Sequence, residues 1–205
     1  MNFKLSYLWF FFLCVLICSC AGLRKSVKGP VLTVLETTPS TPRPDWAKPD
    51  KDSWVETGIY YSVGYMERAE DLQTSVDAAQ TEAQMKLAEQ IKTALKSDFQ
   101  KYMEMQKYEP KTGEYVNKLF EEISENTLIP SFTKNESYTE KIKETIKKKQ
   151  SIFYRSYVLL GLGKSSYEKL FKKTLTDLKN KVKTNKDAKK LVKEIENIFL
   201  FSLGK

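Results

Sequence analysis

The sequence predicts an α+β fold: a small antiparallel sheet with a long amphipathic helix packed across it, and further helices at the C-terminus. Three observations carry this. Residues 57–65 are β-branched and aromatic and bounded by glycines, as a strand requires. Leu72, Val76, Ala79, Ala83, Leu87, Ile91 and Ala94 recur every three or four residues, which lines one face of a helix. Residues 152–160 form an unbroken apolar and aromatic run around Arg155 and Ser156, the pattern of a central strand buried on both faces.

The elements follow in order. Lys4 and the apolar run from Leu5 to Ile17 read as a signal peptide over residues 1–19, too short to span a bilayer. The run closes on Leu16-Ile17-Cys18-Ser19-Cys20-Ala21, which resembles the bacterial lipobox. Ser19 is small enough for the cleavage pocket, so Cys20 is the expected lipidation site; bulky Ile17 disfavours Cys18. Ala21, in place of an inner-membrane-retaining aspartate, points to the outer membrane, with periplasmic face or cell surface left open. Residues 20–53 read as the lipidated cysteine and a Pro/Thr-rich tether, with a short strand at residues 31–35 and Trp46 plugging one edge of the core.

A single domain is expected over residues 54–205. After the long helix, residues 92–105 are ambiguous between helix and strand, and a strand beginning near Ile91 is favoured, carrying Leu95, Phe99 and Met103. Pro110-Lys111-Thr112-Gly113 reads as a turn, followed by a helix with Tyr115, Leu119, Phe120 and Ile123 inward and ending at Pro130. Two strands, 131–142 and 150–162, are joined by Lys147-Lys148-Lys149. Helices then carry Tyr167, Leu170, Phe171, Leu175, Leu178 and Val182, and finally Leu191, Ile195, Ile198 and Phe199.

The chemistry is sparse. Histidine is absent, removing the commonest general base and metal ligand. All three cysteines lie in the first twenty residues, so the body holds no disulfide or cysteine metal site. Gly161-Leu162-Gly163-Lys164-Ser165-Ser166 imitates a phosphate loop, but Val158 stands where that loop needs its first glycine. It reads as a strand-to-helix turn with Ser165 or Ser166 as N-cap. Glu121, Glu122 and Glu125 read as a solvated helix face, and the sequon Asn135-Glu136-Ser137 means little in a bacterial lipoprotein. No catalytic, cofactor-binding or metal site is expected, and the protein reads as a non-enzyme.

Removing Lys4 with the leader takes the formal charge from +8 to +7, and much of the excess lies after Lys164. This Lys-rich end could dock on anionic lipid or an acidic envelope polymer. The plainer reading, favoured here, is that the lysines are solvated backs of core-packed helices. Nucleic acid is excluded as a partner by the expected compartment.

The lipobox at Cys20, Pro44-Asp45-Trp46, the strand ending Val63-Gly64, the helix through Leu87-Ala88-Glu89-Gln90-Ile91 and the strand Tyr154 to Leu160 together resemble the twenty-kilodalton Lpp-type bacterial outer-membrane lipoprotein family, which is similar to flagellar basal-disc lipoproteins. The resemblance covers residues 44–162 besides the lipobox and implies a small antiparallel sheet crossed by a long helix. It also implies a role in envelope assemblies. The expected function is therefore that of a membrane-anchored envelope lipoprotein with a structural or protein-interaction role, partnered by envelope proteins or by itself. The alternative is an accessory lipoprotein that regulates a periplasmic cell-wall enzyme by binding it.

Overall fold

The structure is a computed structural model describing residues 29–126 and 133–203. The chain divides into two units, residues 1–31 and 32–205, and the architecture is that of the second. In chain order it holds β1 (Val31–Thr38), β2 (Ser53–Glu56), β3 (Ile59–Ala69), α1 (Leu72–Glu104), α2 (Pro110–Glu125), β4 (Thr133–Ile146), β5 (Lys149–Leu162), α3 (Lys164–Lys181) and α4 (Lys186–Leu203). The strands form one sheet in the order β1-β4-β5-β3-β2, with β2–β3, β3–β5 and β4–β5 antiparallel. The fold is α+β, as the periodicities predict.

β5 occupies the centre, and its side chains are buried on both faces from Ser156 to Leu162. Two tight hairpins frame it. Thr57 and Gly58, both at positive φ, join β2 to β3. Lys147 and Lys148, also at positive φ, join β4 to β5, and Lys149 is already in the strand.

α1 is a helix of 33 residues, roughly 50 Å long. The strand expected from Ile91 is therefore helix. Spacing by four keeps Leu95, Phe99 and Met103 on one side of either element, so periodicity alone could not decide. What decides is the lack of any glycine or proline from Leu72 to Glu104. The helix opens on Asp71, whose carboxylate accepts from the Thr74 hydroxyl at 2.6 Å and from the Thr74 N–H at 2.8 Å, and this bonding lowers the Asp71 pKa.

Its buried residues fall on every fourth position: Ser75, Ala79, Ala83, Leu87, Ile91, Leu95, Phe99 and Met103. Each step of four turns the stripe by about 40° about the axis. The small N-terminal members lie against the sheet, where an added Cβ on Gly64 would meet the Ala79 carbonyl. The large C-terminal members pack among the other helices: Phe99 stacks on Phe120 with centroids 3.8 Å apart.

α2 begins at Pro110, so the expected turn is a helix start. Proline fits the first helical position because no intrahelical acceptor awaits its missing N–H. Val116, Phe120 and Ile123 are buried, Leu119 is partly so, and Tyr115 is 40% exposed, because a residue one place before Val116 sits about 100° around the helix. α3 takes Gly163, not Ser165 or Ser166, as its N-cap, since β5 runs directly to Leu162. Tyr167, Leu170, Phe171, Leu175, Leu178 and Val182 are all buried, as are Leu191, Ile195 and Phe199 of α4, with Ile198 half-buried.

The main core fills the space between helices and sheet. A smaller one lies on the opposite sheet face, where Val63, Tyr138, Tyr157 and Leu159 are covered by Ala47 and Trp46. From Val31 onward, the stretch expected as tether is thus part of the folded body: first as β1, then as a strap over the outer face. The Trp46 plug is found there. The leader, Cys20, Pro130 and Ser131 lie outside the described residues.

Candidate interaction surface

Two edges bound the sheet, and they are treated differently. Along the β3 edge beyond β2, side chains of α1 spaced by four stand in for a missing strand. Glu82 accepts from the Tyr65 N–H at 2.5 Å, and Lys86 donates to the Val63 carbonyl at 3.4 Å. Gln90 donates to the Trp54 carbonyl of β2 at 3.3 Å. Lys86 is held there by Asp52 at 2.7 Å and Glu82 at 3.0 Å.

Among the described residues β1 has no such cover. Among the described residues, the one side-chain bond to its backbone is a 3.5 Å contact from the Ser40 hydroxyl to the Thr37 carbonyl. Leu32, Val34 and Leu35 are each about half exposed, at 48%, 50% and 47%. Because successive residues alternate between faces, the strand is apolar on both sides. Glu36 is its single charge and lies 4.0 Å from Lys141. Lysines and prolines ordinarily blunt a sheet edge, and within β1 both are missing.

The strap over the outer face is held by ionic contacts. Arg43 donates to Glu140 Oε1 from Nε at 3.1 Å and from Nη2 at 2.5 Å, and lies 5.3 Å from the centre of the Tyr157 ring. Arg155 stands 3.6 Å from the other Glu140 oxygen. Trp46 Nε1 donates to Glu136 at 2.7 Å. The hydrogen bond to Glu140 raises the Arg43 pKa, and burial pushes the Tyr157 hydroxyl up to about 12. Tyr157 Oη and Arg155 Nε are closed off without hydrogen-bond partners. This cluster is a clamp for the strap; it offers no opening through which a substrate could reach those groups.

Of the three acids singled out in α2, Glu121 accepts from Asn117 at 3.3 Å, and the other two are surface ion-pair partners. Glu122 meets Lys181 at 2.8 Å, and Glu125 meets Lys96 at 2.5 Å, which lowers the Glu125 pKa. Among the described residues, no group of three or more Asp, Glu, His or Cys could hold a metal ion. None of the helices described is long and apolar enough to cross a membrane.

No protein-family model matches the chain. Comparison with curated proteins and with solved structures finds no match either.

Charge is distributed unevenly. Residues 20–163 carry 21 basic and 21 acidic side chains, while residues 164–205 carry 12 lysines against 5 acids. The whole excess of +7 therefore belongs to the end formed by α3, α4 and the last residues. Lys179 is paired with Glu196 at 2.7 Å and Lys164 with Glu168 at 3.8 Å. Sequence reading located the lysines and half of β1. It missed that β1 is an open edge, because edge position depends on which strands pair, and Val31 to Thr38 lies some hundred residues from its neighbour β4.

Proposed function

We propose that this protein is a lipid-anchored component of the bacterial envelope, held through Cys20, which works by binding an extended polypeptide strand along β1. The lipobox motif supports the anchor, and the resemblance to outer-membrane lipoproteins supports the compartment. The observation that carries the interaction role is the β1 edge: eight residues, both faces apolar, one charge, and no cap among the described residues. Adding a strand to such an edge satisfies its outward N–H and C=O groups and covers its aliphatic side chains together. From Cys20 to Gly29 the chain can reach at most about 30 Å, so the edge works close to the membrane.

The test is crosslinking in intact cells. A photoreactive residue at Thr33 is expected to join one defined extended segment, of another envelope protein or of a second copy, and Val34→Pro is expected to abolish that product. Thr33 giving the same diffuse products as the 62%-exposed Met85 on α1 would refute the reading. Intact-mass analysis of native material reports independently on the lipid at Cys20.

A further inference from the structure

We propose that the α3–α4 hairpin is a second membrane contact, which lays its outward lysines on the anionic headgroups of the bilayer that holds the anchor; this rests on the anchored reading above. Four observations converge on it. The first is the segregation of charge: the rest of the mature chain is neutral in sum, so the net excess belongs to this end.

The second is the arrangement of lysines around the helices. On α3 the buried positions Leu170, Phe171, Thr174, Leu175 and Leu178 leave Lys169, Lys172 and Lys173 outward. On α4, Lys186, Lys189, Lys190 and Lys193 face away from buried Ala188, Leu191, Val192 and Ile195. Among the described residues none of these seven lysines has a carboxylate within salt-bridge range, whereas Glu196 is spent inside the hairpin on Lys179. Exposed Asp177 and Asp187 and partly buried Glu194 border this face, but its seven lysines outnumber those three acids.

The third is apolar. Leu200 is 44% and Phe201 69% exposed. They follow Lys193 by seven residues and Lys190 by eleven, which puts each about 20° around the helix from its lysine. A basic face that ends in exposed Leu and Phe matches an interface with both headgroups and acyl chains. A dissolved acidic polymer would engage the lysines and gain nothing from the exposed apolar surface of Leu200 and Phe201. The fourth is residue choice. Every basic residue after Arg155 is lysine. Lysine acts as a mobile point charge in a diffuse negative field, while specific phosphate recognition favours the fork of arginine.

The test places the full lipidated chain carrying Phe201→Trp in vesicles of phosphatidylcholine alone, or mixed with phosphatidylglycerol, with brominated acyl chains as quenchers. The unsubstituted protein supplies the background from Trp46 and Trp54. The added indole is expected to be quenched in anionic vesicles at low salt, released at high salt, and spared in neutral ones. Exchanging Lys186, Lys189, Lys190 and Lys193 for Gln is expected to weaken the anionic contact roughly tenfold or more. Equal quenching in both vesicle types, none in either, or quenching that survives the four exchanges overturns the proposal. So does a spectral response to soluble polyglutamate with none to anionic lipid. Flotation with neutral vesicles reads the Cys20 anchor separately. If that fails, flotation with anionic vesicles alone still decides for or against the hairpin.

Discussion

Replacing Gly64 by Ala puts the close approach of β3 and α1 to a direct test. A Cβ at this position would lie 1.8 Å from the Ala79 carbonyl oxygen and 2.5 Å from the Ala83 nitrogen. Both obstacles are main chain, and Ala79 and Ala83 are fully buried, so no side chain can swing aside. To restore ordinary contact the helix must retreat by about 1.5 Å over its first turns, loosening the packing along them. Overpacking by one methyl costs about 1–3 kcal/mol where side chains can yield, and with backbone on the far side the upper end applies. Stiffening the unfolded chain returns about 0.5–1 kcal/mol, leaving a net loss of about 2 kcal/mol or more. For a domain of this size that lowers the thermal midpoint by about 4–8 °C. Far-UV circular dichroism of Gly64→Ala against the parent measures it. Gly163→Ser is the control: an added Cβ there meets nothing within 4 Å, and only a few tenths of a kcal/mol are expected. A Gly64→Ala midpoint within a degree of the parent would refute the contact.

Other outcomes follow from single groups. Tyr167 donates to Asp98 at 2.6 Å, so Tyr167→Phe is expected to cost about 1–2 kcal/mol, while Tyr157→Phe, which removes a buried hydroxyl with no partner, is expected to be neutral or stabilising by urea titration. Burial raises the pKa of both hydroxyls, that of Tyr157 to about 12, above the ordinary value of 10. The unfolded chain therefore loses these protons first; their contribution is intact below pH 10 and drains away as pH rises to 12, visible as a falling midpoint with tyrosinate absorbance rising at unfolding. At the β4–β5 turn, Lys147→Asn with Lys148→Gly is expected to raise stability by about 1 kcal/mol, because both positions hold positive φ that lysine adopts at a cost; an unchanged urea midpoint would contradict that turn geometry.

What could be read from the sequence was whatever depends on local period. α3 and α4 declare their buried faces through spacing, and the structure buries those residues apart from half-buried Ile198; the apolar run of β5 is buried from Ser156 onward, while Ile152 near its start is 52% exposed. The reading failed where two periods agree: Ile91, Leu95, Phe99 and Met103 suit a strand face as well as a helix face, and the absence of a breaker was the deciding clue. It failed again at Pro110, which opens a helix as readily as it closes a turn. The strap was unreadable for a different reason. Its anchors, Arg43 to Glu140 and Trp46 to Glu136, span 97 and 90 residues, and a proline-rich composition describes a packed strap and a free spacer equally. β1 was visible as a short strand, but its solitude at the sheet margin belongs to the pairing order, which no local pattern encodes.

The slow rotation of the buried stripe along α1 also fixes where this chain can change length. One added residue between Leu87 and Ile91 would swing every later position by about 100° and displace it by ~1.5 Å, taking Phe99 away from Phe120 while Ala79 still rests on Gly64. No compensating shift at either end repairs both at once. Insertions and deletions are thus confined to joints such as residues 105–109 and 182–185, and the middle of α1 acts as a ruler that descendants of this sequence must keep to the residue.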